Sequence, residues 1–468
     1  MDRRSFIRFL GVGGAAMAGG AAFGDEWKPG GKGLPPGGCG DPDNYWFAQH
    51  IFPLEHTQED GPSCAFKDGK VLEPAKEIPV FHETDVVVVG GGPAGFAAAI
   101  AAAKTGAKVA LVERYGSLGG LFTNGMVLVV LATSARRDGK WHLVTDGVCG
   151  EFMRRAGKYG KEFSNPPKPE MAYPKSLWQP TIDPEWAKVL MDEMIAEQKV
   201  EMFFHSWGVD VIQDGSKVLG VVFESKEGRQ AILAKQVVDC TGDADMLFKA
   251  GGDYCQVTAP ISNVFRWGNM DTVRPTAESR KARYPERGNE GNPDARWGSS
   301  TMVTGNGLSV RDLSRIEVFE RRQNWDYVMK MRAQSGYEKV YTTNSGSQLG
   351  VRQSRLVAAE FVMGRKEIAA GYDVSDTIGW CGEDGAHAAF PVVYRQLLPK
   401  KVDNLLCAGR CLGRGDTIDT FRLIAPCFVT GQAAGVAAAL AAKADKAPRD
   451  VDVALLRKTL RAQGAYLA

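Results

Sequence analysis

The sequence predicts an α/β fold in which a parallel, helix-covered sheet is interleaved with a smaller mixed α+β region. Three observations predict it. First, an unbroken apolar run, Val86 to Val89, ends in the cluster Gly90-Gly91-Gly92-Pro93-Ala94-Gly95, which reads as a buried strand feeding a helix through a tight turn. Second, a small-residue helix (Ala97 to Ala103) leads to another apolar run that ends in Glu113. Third, short strands between Val200 and Leu233 precede a further apolar strand, Gln236 to Asp243, which closes in a glycine-containing turn.

The spacing of Gly90, Gly92 and Gly95 fits a dinucleotide-binding fingerprint. The first glycine permits the turn, the second lets the backbone approach a pyrophosphate, and the third lets helix and strand pack closely. Pro93 and Ala94 open the helix, whose N-terminal amides and dipole favour phosphate. Glu113 follows Gly90 by 23 positions, near the spacing of a carboxylate that bonds ribose hydroxyls. A lone glycine fingerprint among 55 glycines would mean little. The flanking strand, helix and acid give it weight.

A chain of 468 residues is too long for one compact core and predicts about two domains. Hydrophobic content of 44% and charge of 24% are those of a globular enzyme. Residues 1–24 read as an export signal, with Arg3-Arg4-Ser5-Phe6 before an uncharged, Gly/Ala-rich segment. The arginine pair resembles the twin-arginine signal, which implies the twin-arginine export machinery as a partner and a periplasmic or exported location. A retained membrane anchor is the alternative. Three arginines and Asp2 give the signal a net charge of +2, equal to that of the whole chain, so the remainder is neutral. No basic patch argues for nucleic acid.

Nine cysteines leave at least one unpaired within the chain, and Cys39 and Cys64 are the expected pair. With six histidines and no ligand motif at metal spacing, no metal centre is expected.

Taken in order, residues 25–79 read as a linker and extension packing on the body. Asp183 to Lys199 reads as an amphipathic helix started by Asp183-Pro184. A meander follows, with strands at Val200–Phe204, Gly208–Gln213, Val218–Glu224 and Gln230–Leu233. Helices are expected at Leu313–Arg332, at Gln353–Ala370 and from Thr430 to about Ala442, with a short strand before Gly409. These elements assign 80–145, 200–255 and 346–445 to the nucleotide domain. They assign 146–199 and 256–345 to a substrate or cap domain, and 446–468 to a C-terminal helix.

Several blocks resemble the FAD-dependent oxidoreductases of the glutathione-reductase-type flavoprotein superfamily. They are Glu73 to Val80, Glu113-Arg114 with Gly119-Gly120, Val238 to Asp245, Tyr394 to Pro399, and Asn404 to Arg410 with Arg422 and Thr430 to Gly435. The resemblance runs from about Glu73 to Lys443. It implies a glutathione-reductase-like FAD-binding Rossmann domain with an interleaved substrate/cap domain, and FAD as cofactor. It also implies roles for single residues. Gly90, Gly92 and Gly95 would hold the pyrophosphate and Glu113 the adenosine ribose. Arg114, Gly119 and Gly120 would line the cofactor, and Val209 would face the adenine. Thr241 and Gly242 would close over the nucleotide, Gly409 and Arg410 would approach the ribityl chain, and Pro426-Cys427 would begin a helix facing the flavin. The stretches 411–421 and 380–387 depart from the family pattern, which leaves the substrate open.

The chain has one dinucleotide fingerprint and no CxxxxC pair, so a dehydrogenase passing hydride from a small organic substrate to FAD is favoured over an NAD(P)H-linked disulfide reductase. The electron acceptor is a quinone, a cytochrome or oxygen. Arg422 is the candidate for holding a carboxylate or developing negative charge, and His387 the candidate general base. A fumarate-reductase-like reductase or oxidase, and a non-catalytic flavin-binding protein, share the same motifs.

Overall fold

The structure, a computed structural model, describes residues 64–137, 139–159, 180–299, 302–369, 374–382, 389–413 and 421–467. The expected export signal, Cys39 and His387 lie outside the described residues. Cys64 is an exposed free thiol. By its contacts the chain divides into residues 1–76 and 77–468. The described part of the first unit holds one antiparallel hairpin, β1 (Ala65–Lys67) and β2 (Lys70–Leu72), turned at Asp68-Gly69 with both residues at positive φ.

The second unit is built on β3 (Val80–Val89), α1 (Pro93–Lys104) and β4 (Val109–Val112). The strands lie parallel, with Val86 opposite Val109 and Val89 opposite Val112. Val86 to Val89 are 0–2% exposed, and burying each such side chain contributes roughly 1.5–3 kcal/mol. That continuous burial explains why the run shows no polar alternation. A hairpin of β5 (Ala135–Arg137) and β6 (Lys140–His142) precedes α2 (Val148–Ala156) and α3 (Pro184–Ala196). Asp183 caps α3, its Oδ1 accepting from the amides of Glu185 and Trp186 at 3.0 Å each. The sequence reading groups 146–199 with the cap, yet α2 and α3 bury Phe152, Leu190 and Met194 in the same core as α1.

Next come β7 (Glu201–Phe203), β8 (Trp207–Asp214), β9 (Lys217–Ser225), β10 (Gly228–Asp239) and the short α4 (Asp245–Lys249). The sheet order is β7-β4-β3-β10-β9-β8. The expected strands at 230–233 and 236–243 are one strand, β10. Its first half pairs antiparallel with β9 through Leu233, and its second half pairs parallel with β21 (Leu405–Cys407) from Val237. Ala234-Lys235 contains no turn former, so the chain changes neighbours without breaking.

Residues 254–357 carry small sheets of their own. These comprise β11 (Tyr254–Gln256) with β18 (Arg355–Val357), β12 (Ala259–Ser262) with β15 (Val303–Gly305) and β17 (Gly350–Val351), and β13 (Val264–Gly268) with β14 (Arg296–Ser299) and β16 (Tyr341–Ser345). Helix α5 (Val310–Arg332), capped by Ser309, packs on them through Ile316, Val328 and Met331. Arg266 on β13 ties this region to α3. Its guanidinium reaches Asp183 and Glu290 at 2.6 Å each and is 14% exposed. The expected helix at 353–370 is instead β18 followed by the short α6 (Arg365–Ala369), because 355–357 is taken up in pairing with β11.

The chain ends with β19 (Thr377–Gly382) paired to β20 (Ala389–Val393), then β21, α7 (Ile424–Ala444) and α8 (Val453–Ala462). Helix α7 is long and apolar enough to cross a membrane, but 94% of its most apolar stretch is buried inside the protein. A helix apolar all round belongs in a core. Its glycines explain where it sits. A Cβ on Gly431 would lie 2.0 Å from the Ala94 carbonyl oxygen, and one on Gly435 2.1 Å from that of Ala98. One turn apart, they bring α7 against the backbone of α1.

Glu320, on the buried face of α5, is fully buried, and that burial pushes its carboxyl up to about 7 against the opposing backbone amide of Asn263; nearby Glu317 pushes the same way. A folded-state value above the unfolded one means that stability is lost as pH rises from the ordinary carboxylate range towards 7. Glu320→Gln therefore raises the thermal midpoint at about pH 8 and changes it little near pH 5. Equal shifts at both pH values would show that Glu320 does not titrate in this way.

Candidate functional site

The carboxyl ends of β3, β10 and β21 meet at one point, and the residues just beyond them form the floor of a cavity that opens to solvent. Open α/β sheets place ligands at such points. Gly90, with φ at +97°, leaves β3 so close to β10 that a Cβ would lie 2.5 Å from the Cys240 carbonyl oxygen. A Cβ on Gly95 would lie 1.7 Å from the Gly90 carbonyl oxygen, so α1 is pinned to its own turn. Gly92 differs. It lines the cavity, and a Cβ there would meet no atom within 4 Å. The fingerprint thus divides into two packing glycines and one that keeps space open.

Glu113, at the end of β4, lines the cavity and is 5% exposed. Its Oε2 accepts from the Gly91 amide at 2.6 Å and its Oε1 from the Tyr115 amide at 2.8 Å. Burial raises its pKa, and those two amides, with Arg114, oppose the shift. A carboxylate has about four acceptor sites, so both oxygens retain capacity for hydroxyl donors. Arg114 also lines the cavity, its guanidinium 4.9 Å from the Tyr115 ring and 5.5 Å from that of Trp207. Gly120 lines it too. Gly119 sits behind, at φ +101°, donating to the Gly91 carbonyl at 2.8 Å.

A buried carboxylate organises the turn after β10. Asp239 Oδ1 accepts from the Thr241 amide at 3.1 Å and hydroxyl at 2.7 Å, and Oδ2 from the Met246 and Leu247 amides at 2.9 and 3.0 Å. Burial pushes its carboxyl up to about 6. Thr241 and Gly242 are thereby fixed on the cavity wall. Arg410 faces them, its Nη2 bonded to Asp243 at 2.7 Å. Arg410 Nη1 is buried without a hydrogen-bond partner, so a cationic donor at the cavity wall awaits an acceptor. Gly409, at φ +94°, donates its amide to Thr430 Oγ1 at 3.1 Å, tying the end of β21 to α7.

Arg422, Ile424 and Cys427 line the cavity at the start of α7. The helix begins at Ile424 rather than at Pro426-Cys427, with Leu423 as its cap residue. Burial pushes the Cys427 thiol up to about 12, and Cys240 is raised by the same cause. Both are inert small hydrophobes at ordinary pH. Among the described residues there is no cluster of side chains able to hold a metal ion.

Most of the expected site residues therefore share one cavity: Gly90, Gly92, Pro93, Ala94 and the others named above. Three do not line it. Gly95 and Gly119 act from behind. Val209 is half-buried on β8, and its neighbours Trp207 and Gly208 line the cavity instead. A bulge between Gly208 and Asp210 shifts the register there, which strand alternation alone could not foretell. Sequence reasoning also missed Tyr115, Ser206 and Gln348. Gln348 lines the cavity with a buried Oε1 that has no hydrogen-bond partner. Its place in a polar, irregular segment gave no signal.

The residues present fit FAD. The open Gly92 cradle, the helix N-terminus behind it, the acceptor Glu113 and the unpaired Arg410 donor match pyrophosphate and ribose chemistry.

Among curated proteins the chain is similar to dihydrolipoyl dehydrogenase of Trypanosoma brucei brucei, with 59% identity over 47 residues, 10% of each chain. It is also similar to a soluble pyridine nucleotide transhydrogenase of Chromohalobacter salexigens, with 25% identity over 185 residues, 38% of this chain and 35% of the relative. These matches span only a minor part of either relative's length. Among solved structures, a geranylgeranyl bacteriochlorophyll reductase-like protein of Thermoplasma acidophilum has a TM-score of 0.40 at 14% identity, covering 81% of this chain and 83% of that one. A flavin-dependent brominase has a TM-score of 0.41 at 16% identity, covering 81% and 83%. Residues 85–460 match the profile of the family described as FAD dependent oxidoreductase. That match runs from within β3 to within α8, and the chain belongs to this family, an enzyme with FAD as its cofactor.

Proposed function

We propose that the protein is an exported dehydrogenase of the glutathione-reductase-like type, passing hydride from a small organic substrate to FAD, with a quinone, a cytochrome or oxygen as the final acceptor. One observation supports it most. A single cavity is lined both by the glycine turn with Glu113 and by Arg422 at the start of α7, so a nucleotide-binding wall and a cationic wall share one space. FAD, when bound, supplies the two-electron acceptor. The chain's residues do the rest. Arg422 offers positive charge to a substrate carboxylate or to negative charge that develops during the reaction. The N-terminal amides of α7 add a field of the same sign. His387 is proposed as the base that takes the substrate proton. The single fingerprint and the lack of a CxxxxC pair support an organic donor over disulfide chemistry. The Arg3-Arg4 signal supports export after folding, when FAD has been loaded in the cytoplasm.

The direct test is anaerobic addition of candidate organic donors to the purified protein. A donor that bleaches the flavin, with colour restored by one of the three acceptor classes, is the expected result. Flavin that no donor reduces but that NAD(P)H reduces rapidly would overturn the dehydrogenase reading.

The fingerprint glycines separate fold from cofactor. Gly92→Leu keeps the thermal stability of the FAD-free protein and loses FAD, since its side chain fills the open cradle. Gly90→Ala costs at least about 2 kcal/mol of stability in the FAD-free protein, from positive φ and overpacking. If Gly92→Leu retains FAD at the wild-type level, the phosphate position is wrong.

Replacing Arg3 and Arg4 together by lysine holds the protein in the cytoplasm on cell fractionation. Undiminished export would refute the twin-arginine assignment.

A further inference from the structure

Away from the FAD cavity, two buried hydrogen-bond donors lie side by side with nothing to bond. Arg137 closes β5, and Trp380 lies in the middle of β19. The Arg137 guanidinium sits 3.8 Å from the centre of the Trp380 ring. Arg137 Nη1 and Trp380 Nε1 are both buried, and neither has a hydrogen-bond partner. Among the described residues no carboxylate forms an ion pair with Arg137. A buried donor left unmade costs about 1–3 kcal/mol, so two adjacent ones need an explanation. The contact between cation and ring accounts for the placement of the guanidinium, but it satisfies neither N–H.

The surroundings hold the pair in place. The Gly382 amide donates to the Ala132 carbonyl at 3.2 Å, and a Cβ on Gly382 would lie 2.8 Å from the Ser134 carbonyl oxygen, so the segment leading into β5 is fixed against the end of β19. Gly379, next to Trp380, packs so closely on α7 that a Cβ would lie 2.3 Å from Val429 Cγ1. Val429 is two positions beyond Cys427, which lines the FAD cavity. Neither Arg137 nor Trp380 lines that cavity.

We infer that Arg137 and Trp380 form a binding site for the carboxylate of an organic acid. A carboxylate brings one negative charge, which the guanidinium balances, and planar acceptor oxygens for the two N–H groups. A phosphate dianion would leave a second charge buried without a partner. The site lies apart from the FAD cavity, where Arg422 faces the proposed substrate. As a binding site it stands on its own geometry.

The experiment reads binding rather than turnover. The purified protein is titrated with sodium benzoate by calorimetry at constant ionic strength, with benzamide as the uncharged analogue and sulfate as a simple anion. Benzoate binds, while benzamide and sulfate do so at least tenfold more weakly. Arg137→Met weakens benzoate about tenfold or more, Arg137→Lys less, and Trp380→Phe, which keeps the ring but removes the N–H, a few-fold. FAD content in the same samples stays at the wild-type level. Wild-type protein that ignores benzoate, or equal affinity in wild type, Arg137→Lys and Trp380→Phe, overturns the site. Protein that binds benzoate in this pattern but holds no FAD contradicts the functional reading and leaves the carboxylate site standing.

Discussion

Everything at the cofactor site depends on how closely β3 approaches the end of β10. The absent side chain at Gly90 lets the Cys240 carbonyl come within 2.5 Å of where a Cβ would be. That contact aligns the carboxyl ends of β3 and β10, and β21 joins them by pairing Asp239 with Cys407. Two helix N-termini then converge on the junction. α1 starts there because its turn is pinned by Gly95, and α7 arrives because Gly431 and Gly435 let it ride on the α1 backbone. Small residues do this work by bringing backbones together, and the cavity is the space left over.

Charge is arranged around the same junction. Asp239 carries four hydrogen bonds yet has its pKa raised by burial, so its main task is to shape the turn that presents Thr241 and Gly242. One step further out, Asp243 bonds Arg410, and Asp245 bonds Arg355 at 2.8 Å. Buried ion pairs of this kind stabilise little by themselves because desolvation offsets attraction. They do fix directions, and here they fix the Arg410 guanidinium on the cavity wall. The negative Glu113 lines the same cavity as the cationic Arg410 and Arg422, as an elongated ligand with hydroxyls and phosphates requires.

Much of this was legible in the sequence, for physical reasons. A strand buried on both faces must be apolar throughout, and a turn under steric constraint must be glycine, so Val86 to Gly95 announced itself. The cap at Asp183 and the small-residue helix at Thr430 to Gly435 were readable because local chemistry dictates them. Illegible parts were those decided by distant partners. β10 continued through Lys235 because β9 and β21 offered successive edges. The segment 355–357 became a strand because β11 was there to pair with it. A bulge put Trp207 and Gly208, not Val209, at the cavity. Gln348 and the Arg137–Trp380 pair carry no local pattern at all, since only the fold makes their polar atoms buried and unpaired.

The claim that one strand junction organises the whole cofactor site is tested most directly by hydrogen–deuterium exchange of FAD-free protein with and without added FAD. New protection is expected at Gly90–Ala94, Glu113–Gly120, Thr241–Gly242 and Gly409–Arg410, with the sheets formed by β11 to β16 little changed. Protection confined to those outer sheets, or none at the glycine turn, would contradict it.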